Sequence, residues 1–276
     1  MPPFASIDLS GRYYAGMAIS VPAGREAHTP VARGDSASTK KPGVFLTAEW
    51  INLVMLNYAV EPGVLSRFVP SGTELDAFDG QTYVSLVGFE FNRTRLSGVA
   101  IPFHGSFEEV NLRFYVRREA KRGVVFIREL VPKRAVAAVA RFAFGENYTC
   151  VPMSHDIRAN TANNSIAGEY AWGSGPARCT MRIEGDGRGF RPAEGSLSQF
   201  ITEHYWGYAA QRDGGCLEYE VQHPRWNVRE ATSAGFSGDA TLCYDGEFAR
   251  ILTRPPDSAF LADGSPVTVF KGIRIA

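Results

Sequence analysis

Residues 81–95, QTYVSLVGFEFNRTR, follow Asp79-Gly80 and alternate without leaving a polar face. In an extended chain Tyr83, Ser85, Val87, Phe89 and Phe91 point one way, and Thr82, Val84, Leu86, Gly88 and Glu90 the other. Both sets are substantially apolar, so the strand has to be covered on both sides, at the centre of a barrel or between layers. Asp-Gly is a strong type I′ turn signal, and residues 74–78 are predicted to pair back as the other arm of a hairpin.

A second organised stretch runs over residues 107–148, FEEVNLRFYVRREAKRGVVFIRELVPKRAVAAVARFAFGENY. Strands are expected at 110–117 and 124–131 around Lys121-Arg122-Gly123. After Pro132 the apolar period lengthens to that of a short packed helix, which Gly145 stops. Upstream, residues 48–60 read as a β-favouring run. Downstream, strands are expected at 151–159, 165–172, 177–184, 216–222, 226–232, 240–244 and 266–275. Ser196 three residues before Gln199 marks a helix start. A dozen strands with two or three short helices point to a mainly β (α+β) fold, an antiparallel barrel or sandwich. Residues 1–42, rich in Pro, Gly, Ser and Ala, read as an N-terminal arm ahead of one domain over 43–276.

Charge and cysteine usage narrow the function classes. The 29 Lys and Arg balance the 29 Asp and Glu, so no global field draws the chain to nucleic acid or an anionic membrane. The 4 cysteines form no C-x-x-C pair and read as incidental thiols. No apolar run approaches the ~20 residues of a spanning helix, and the expectation is a cytoplasmic protein. No phosphate-binding glycine loop or nucleophile elbow is present.

The residues with chemical potential are few. Glu108 and Glu109 are adjacent on a strand, so only one carboxyl can face a pocket, where burial would suit it to acid–base work. They pair with Arg113 or Arg128 in the plainer reading. Lys133, crowded by Arg134, is a candidate amine nucleophile. Glu203-His204-Tyr205-Trp206 and His223-Pro224-Arg225-Trp226 each join an imidazole to an indole and a charge. Without HExxH or HxH spacing they read as aromatic pocket walls with a hydrogen-bonded histidine, and no metal or cofactor is expected. Glu109, Lys133 and His204 are the catalytic candidates. The candidate ligand-binding set is Glu108, Glu109, Arg113, Asn147, Tyr148, Glu203, His204, Trp206 and His223.

Six stretches in order carry a resemblance: FLTAEWINLVMLNYAV, VPSGTELDAFDGQTYVSLVGFEF, FEEVNLRFYV, VPKRAVAAVARFAFGENY, GSLSQFITEHYWGY and HPRW, spanning residues 45–228. On these the chain resembles the bacterial YqjF-like family, a domain of unknown function. That family is similar to acetoacetate decarboxylase, which implies a closed, cone-like antiparallel β barrel with a central pocket. In those enzymes a Y-N-E-V-like strand precedes a helix and then a lysine pair whose first amine forms a Schiff base. Phe107-Glu108-Glu109-Val110 resembles the strand and Ala135-Val136-Ala137-Ala138 the helix, but Phe144-Gly145-Glu146-Asn147-Tyr148 falls where the lysines would stand. Without that amine no iminium electron sink forms.

The resemblance therefore implies a barrel that binds a small carboxylate, carbonyl or hydrophobic molecule without Schiff-base decarboxylation. The alternative is an enzyme on such compounds, of lyase or hydrolase type, working through a carboxylate/histidine pair or Lys133. The partners expected are a small-molecule ligand, with no nucleic acid and no membrane. A homo-oligomer, with the leader as a swapped arm, is a third reading.

Overall fold

The computed structural model describes residues 42–160, 162 and 164–276, so the arm expected over 1–42 lies, but for Pro42, outside the described residues. The chain opens with the long strand β1 (Val44–Val60) and the single turn α1 (Pro62–Leu65), followed by the short β2 (Glu74–Leu75). Strands β3 (Thr82–Leu96), β4 (Val99–Ala100), β5 (Phe107–Arg118) and β6 (Lys121–Val131) come next, then helix α2 (Arg134–Phe144) and β7 (Tyr148–Cys150). A second group of strands follows, β8 (Met153–Asn160), β9 (Ser165–Trp172) and β10 (Cys179–Gly185). The last part holds α3 (Leu197–Thr202), β11 (Trp206–Ala210), β12 (Cys216–Gln222), β13 (Val228–Ser237), α4 (Gly246–Leu252), β14 (Ser258–Phe270) and β15 (Ile273–Arg274).

The fold is thus mainly β with few helices. Four α-helices occur among the described residues, against the two or three expected; α4 falls where no element was expected, and just before it the strand expected at 240–244 does not form. Asp239 accepts from the Thr241 amide and starts a 3-10 turn, and Asp245 accepts from the Phe248 amide and caps α4. These side chains offer the backbone local partners that a strand would have had to find across a sheet. No described helix is long and apolar enough to cross a membrane.

Neighbouring strands follow the order β15-β12-β11-β6-β5-β3-β1-β14-β13-β10-β9-β8, and β12 also pairs with β14 through Val221↔Val269 and Gln222↔Thr268. Most neighbours are antiparallel; β6 pairs parallel with β7 and β11. Along the central strands side chains divide by parity into two clusters. Val54, Leu56, Val84, Leu86, Leu112 and Phe114 pack one way, with Tyr170, Trp172 and Met181 of β9 and β10. Leu53, Met55, Val87, Phe89, Phe107 and Tyr115 pack the other way, with Phe200, Trp226 and Phe260. The expectation of two-sided burial for the 81–95 strand is met because each face meets its own layer.

A thread of polar side chains crosses four of these strands. Asn57 donates to Ser258 at 3.1 Å, and Ser85 donates to Asn57 Oδ1 at 2.7 Å. The Ser85 proton being used there, the Tyr115 hydroxyl donates to Ser85 Oγ at 2.6 Å. Asn57 and Ser85 are fully buried, so the thread satisfies groups that water cannot reach and pins the register of β14, β1, β3 and β5. Replacing Ser85 by Ala leaves the Asn57 carbonyl and the Tyr115 hydroxyl short of a partner. We expect Ser85→Ala to lower unfolding free energy by about 1–3 kcal/mol, read as a shifted urea midpoint at unchanged slope.

Candidate functional site

The inward face of β5 carries Phe107, Glu109, Asn111 and Arg113 at every second position, and all four line a cavity of about 200 Å³. An apolar cavity of roughly 150 Å³ holds benzene, so this one suits a compact organic molecule. Its walls are mostly apolar, among them Trp50, Phe89, Phe91, Phe126 and Trp226. Ile101 and Val139 line it while staying 41% exposed each, which places its mouth between the 101–104 loop and α2.

Strand β6 adds a carboxyl by breaking its own alternation. Leu112 faces Arg128 but Arg113 faces Phe126, so Ile127 is an extra residue, a β-bulge. The bulge brings Phe126 and Glu129 to the same face. Asn147 seals it by donating to the Ile127 carbonyl at 2.9 Å, and its own carbonyl accepts from the Glu129 amide at 3.1 Å. Helix α2 ends at Gly145 in a left-handed conformation (φ 74°), its N–H bonded to the Arg141 carbonyl. The chain then turns Glu146 into the cavity and lays Tyr148 beside Glu129 in parallel pairing.

Glu109, Glu129 and Glu146 are therefore gathered at one end of the cavity, exposed by only 2%, 2% and 7%. Glu109 accepts from Asn111 Nδ2 and from the Tyr148 hydroxyl, both at 3.0 Å. Glu146 accepts from the Tyr219 hydroxyl at 2.9 Å. Tyr219 reaches it by crossing Gly207 of β11, where even a Cβ would lie 2.1 Å from the ring. Oε2 of Glu129 has no hydrogen-bond partner among the described residues.

Burial penalises the charged form of all three carboxyls. It pushes Glu109 up to about 7, against the pull of Asn111, Tyr148 and the Arg113 charge. It pushes Glu146 to about 8, against the Tyr219 hydrogen bond. Glu129 is held well above the carboxylate range by burial and then by the charges of Glu146 and Glu109. Near neutral pH Glu109, with a donor on each oxygen, is the member best able to ionise. The other two favour the acid form.

The cavity lining also holds two nitrogenous groups, His204 and Arg113. His204 follows α3, stacks on Tyr115 with ring centroids 4.6 Å apart, and meets Phe200 edge-on. Burial pushes its pKa down to about 4, so the ring is neutral at pH 7, and neither ring nitrogen has a hydrogen-bond partner among the described residues. Its Nε2 is 3.9 Å from Asp76, too long for a hydrogen bond, and Asp76 is engaged by Arg122 at 2.7 Å. Arg113 donates weakly to the Ile201 carbonyl at 3.4 Å, and its buried Nε has no partner. No described carboxylate forms an ion pair with it.

Of the residues singled out from sequence, Glu109, Arg113, Tyr148, His204, Trp206 and His223 line the cavity. His223 stacks on Trp226 at 4.3 Å, and burial lowers its pKa. Glu108, Asn147, Glu203 and Lys133 do not line it. Glu108 points through the other face of β5 and meets His155 Nδ1 at 3.0 Å, not Arg113 or Arg128. Asn147 closes the bulge, and Glu203 pairs with Arg225 and Gln199. Lys133 stands outside the start of α2 with its amine on the Phe103 carbonyl. Sequence reasoning missed Asn111, Glu129 and Tyr219 and left Glu146 out of the binding set.

The raised carboxyls carry a pH signature. The unfolded chain releases these protons near pH 4.5, whereas the folded chain keeps that of Glu146 to about pH 8, so between these values the folded state binds more protons. Stability due to this group is complete below pH 4.5 and is lost as pH rises through 8. The Glu146→Gln variant, which cannot ionise, is expected to gain on the wild type in unfolding free energy between pH 5 and pH 8. Urea denaturation of both proteins at the two values measures it.

Comparison with known proteins identifies the family and the fold. The model of the DUF2071 family, described as an uncharacterized conserved protein, matches residues 47–266. The uncharacterized protein YqjF of Bacillus subtilis (strain 168) is 27% identical over 191 residues, covering 66% of this chain and 74% of that protein. Among solved structures, the enduracididine biosynthesis enzyme MppR complexed with pyruvate has a TM-score of 0.62 at 13% identity, covering 87% of this chain and 93% of MppR. Acetoacetate decarboxylase from Legionella pneumophila has a TM-score of 0.60 at 12% identity, covering 88% of this chain and 93% of that enzyme. The structural likeness establishes a fold of acetoacetate-decarboxylase type, and the sequence match establishes that the chain belongs to the DUF2071 family.

Proposed function

We propose that this protein is a binder of small organic carboxylates or carbonyl compounds, which it holds in the interior of a closed, cone-like β barrel. The closing β12–β14 pairs support the barrel, since they return the path β12-β11-β6-β5-β3-β1-β14 to its start. The observation that carries the binding reading is Arg113, whose guanidinium lines the cavity with a buried Nε lacking a partner. A buried donor without an acceptor is costly, and a planar carboxylate meets a guanidinium in two parallel hydrogen bonds. The aromatic walls then take the rest of the molecule. MppR, solved with pyruvate, and the acetoacetate decarboxylases lend the reading support by analogy of fold.

The lining includes no lysine among the described residues, and Glu146 stands in the segment where the family resemblance would have put the amine. Binding without a covalent step is the reading that fits. Borohydride added with pyruvate is expected to leave the intact mass unchanged, whereas a mass gain on a lysine would contradict it. The direct test is calorimetry and thermal shift with 2-oxobutanoate, phenylpyruvate and phenylacetate. At a hundredfold excess over Kd a true ligand stabilises by about 2.7 kcal/mol, a rise of roughly 5–10 °C in Tm. Arg113→Met is expected to cost about 1.5–3 kcal/mol of that affinity. No shift with any of the three acids would count against the reading.

A further inference from the structure

The cavity contains more chemistry than holding a carboxylate requires. Three carboxyl groups converge at one end, and one of them, Glu109, is held by a donor on each oxygen. A second, Glu129, presents an oxygen with no partner among the described residues. Independently, His204 lines the same cavity, 7% exposed, with both ring nitrogens unpartnered. A neutral imidazole has one donor and one acceptor nitrogen, so the space before it suits a polar group of a ligand. Arg113 lies on the strand that carries Glu109, four residues on and on the same face.

We propose that the site catalyses enolisation of the 2-oxo acid it binds: Glu109 takes a proton from the carbon next to the carbonyl, and Glu129 gives one to the carbonyl oxygen. This rests on the binding reading above and adds a reaction to it. The C–H electron pair becomes the carbon–carbon double bond of the enol, and the carbonyl π pair becomes its O–H bond. Glu109 ends protonated and Glu129 ionised, and the reverse step restores both, so no oxidant, reductant or second substrate is consumed. Arg113 would hold the substrate carboxylate, which fixes the carbonyl and the adjacent carbon relative to the two glutamates. Low-dielectric surroundings strengthen such an exchange, and a positioned acid or base contributes roughly 10²–10⁴-fold. Burial keeps the proton on Glu129 and leaves Glu109 the readiest of the three to act as base.

The test is deuterium exchange at C3 of 2-oxobutanoate and of phenylpyruvate in D2O, followed by proton NMR, with binding of each compound measured in parallel by calorimetry. Exchange is expected in proportion to protein and at least tenfold above buffer. Glu109→Gln and Glu129→Gln are each expected to bring it to the buffer rate while affinity stays within about threefold. Glu108→Gln, on the opposite face of the same strand, is expected to leave it unchanged. Binding with exchange at the buffer rate overturns the enolisation and leaves the binding reading standing. Absence of binding and exchange for both compounds overturns the two together. Full exchange in a folded Glu109→Gln protein overturns the assignment of the base, and should that variant fail to fold by circular dichroism, the Glu129→Gln result decides.

Discussion

Removing a carboxyl group from water is the constraint on which this structure turns. Glu109, Glu129 and Glu146 are nearly inaccessible to solvent, and three ionised carboxylates could not share so small a space. The protein meets the cost in two ways. It surrounds them with phenol and amide donors, from Tyr148, Tyr219 and Asn111, and it lets burial hold the protons on. The resulting group is a reservoir of protons facing an apolar chamber. The same desolvation keeps His204 neutral, and Arg113, on the face of β5 that also carries Glu109, keeps a buried Nε without a partner among the described residues.

What allows this interior to exist is a set of strands buried on both faces. The outward-facing parity of β1, β3 and β5 packs on β9 and β10 and supplies ordinary apolar stability. The inward parity is thereby free to be partly polar. The thread through Asn57, Ser85 and Tyr115 belongs to this inner face, and its hydroxyl end lies on the residue that stacks on His204. Register and site are therefore coupled: a slip of one residue would turn Glu109 and Arg113 outward and put Val110 and Phe114 in their place.

The legibility of the site follows from which rule each residue obeys. Glu109 and Arg113 keep strict alternation along β5, so the sequence alone could say that one of Glu108 and Glu109 faces inward. Glu129 breaks the rule. Counting in twos from Phe126 puts it on the outer face, and only the bulge at Ile127 turns it round. Glu146 sits in a loop with no period to read, oriented by Gly145 and the pairing of Tyr148 with β6. Asn147, adjacent to it, looked like a ligand and proved to be the seal of the bulge. Glu203 and Lys133 had suitable chemistry in local sequence, but their partners, Arg225 and the Phe103 carbonyl, are distant in the chain.

By itself the sequence determined the strand-rich class, the two-sided burial of the 81–95 strand, the helix ending at Gly145 and the family. The first three are carried by local propensity, turn chemistry and alternation, which depend on near neighbours, and the family by the likeness of six stretches in order. Only the tertiary structure decided which carboxyls meet. The gathering of Glu109, Glu129 and Glu146 requires a bulge, a parallel strand pair and a tyrosine reaching over Gly207 from β12. None of these has a period in sequence, because each is an agreement between segments that meet only after folding.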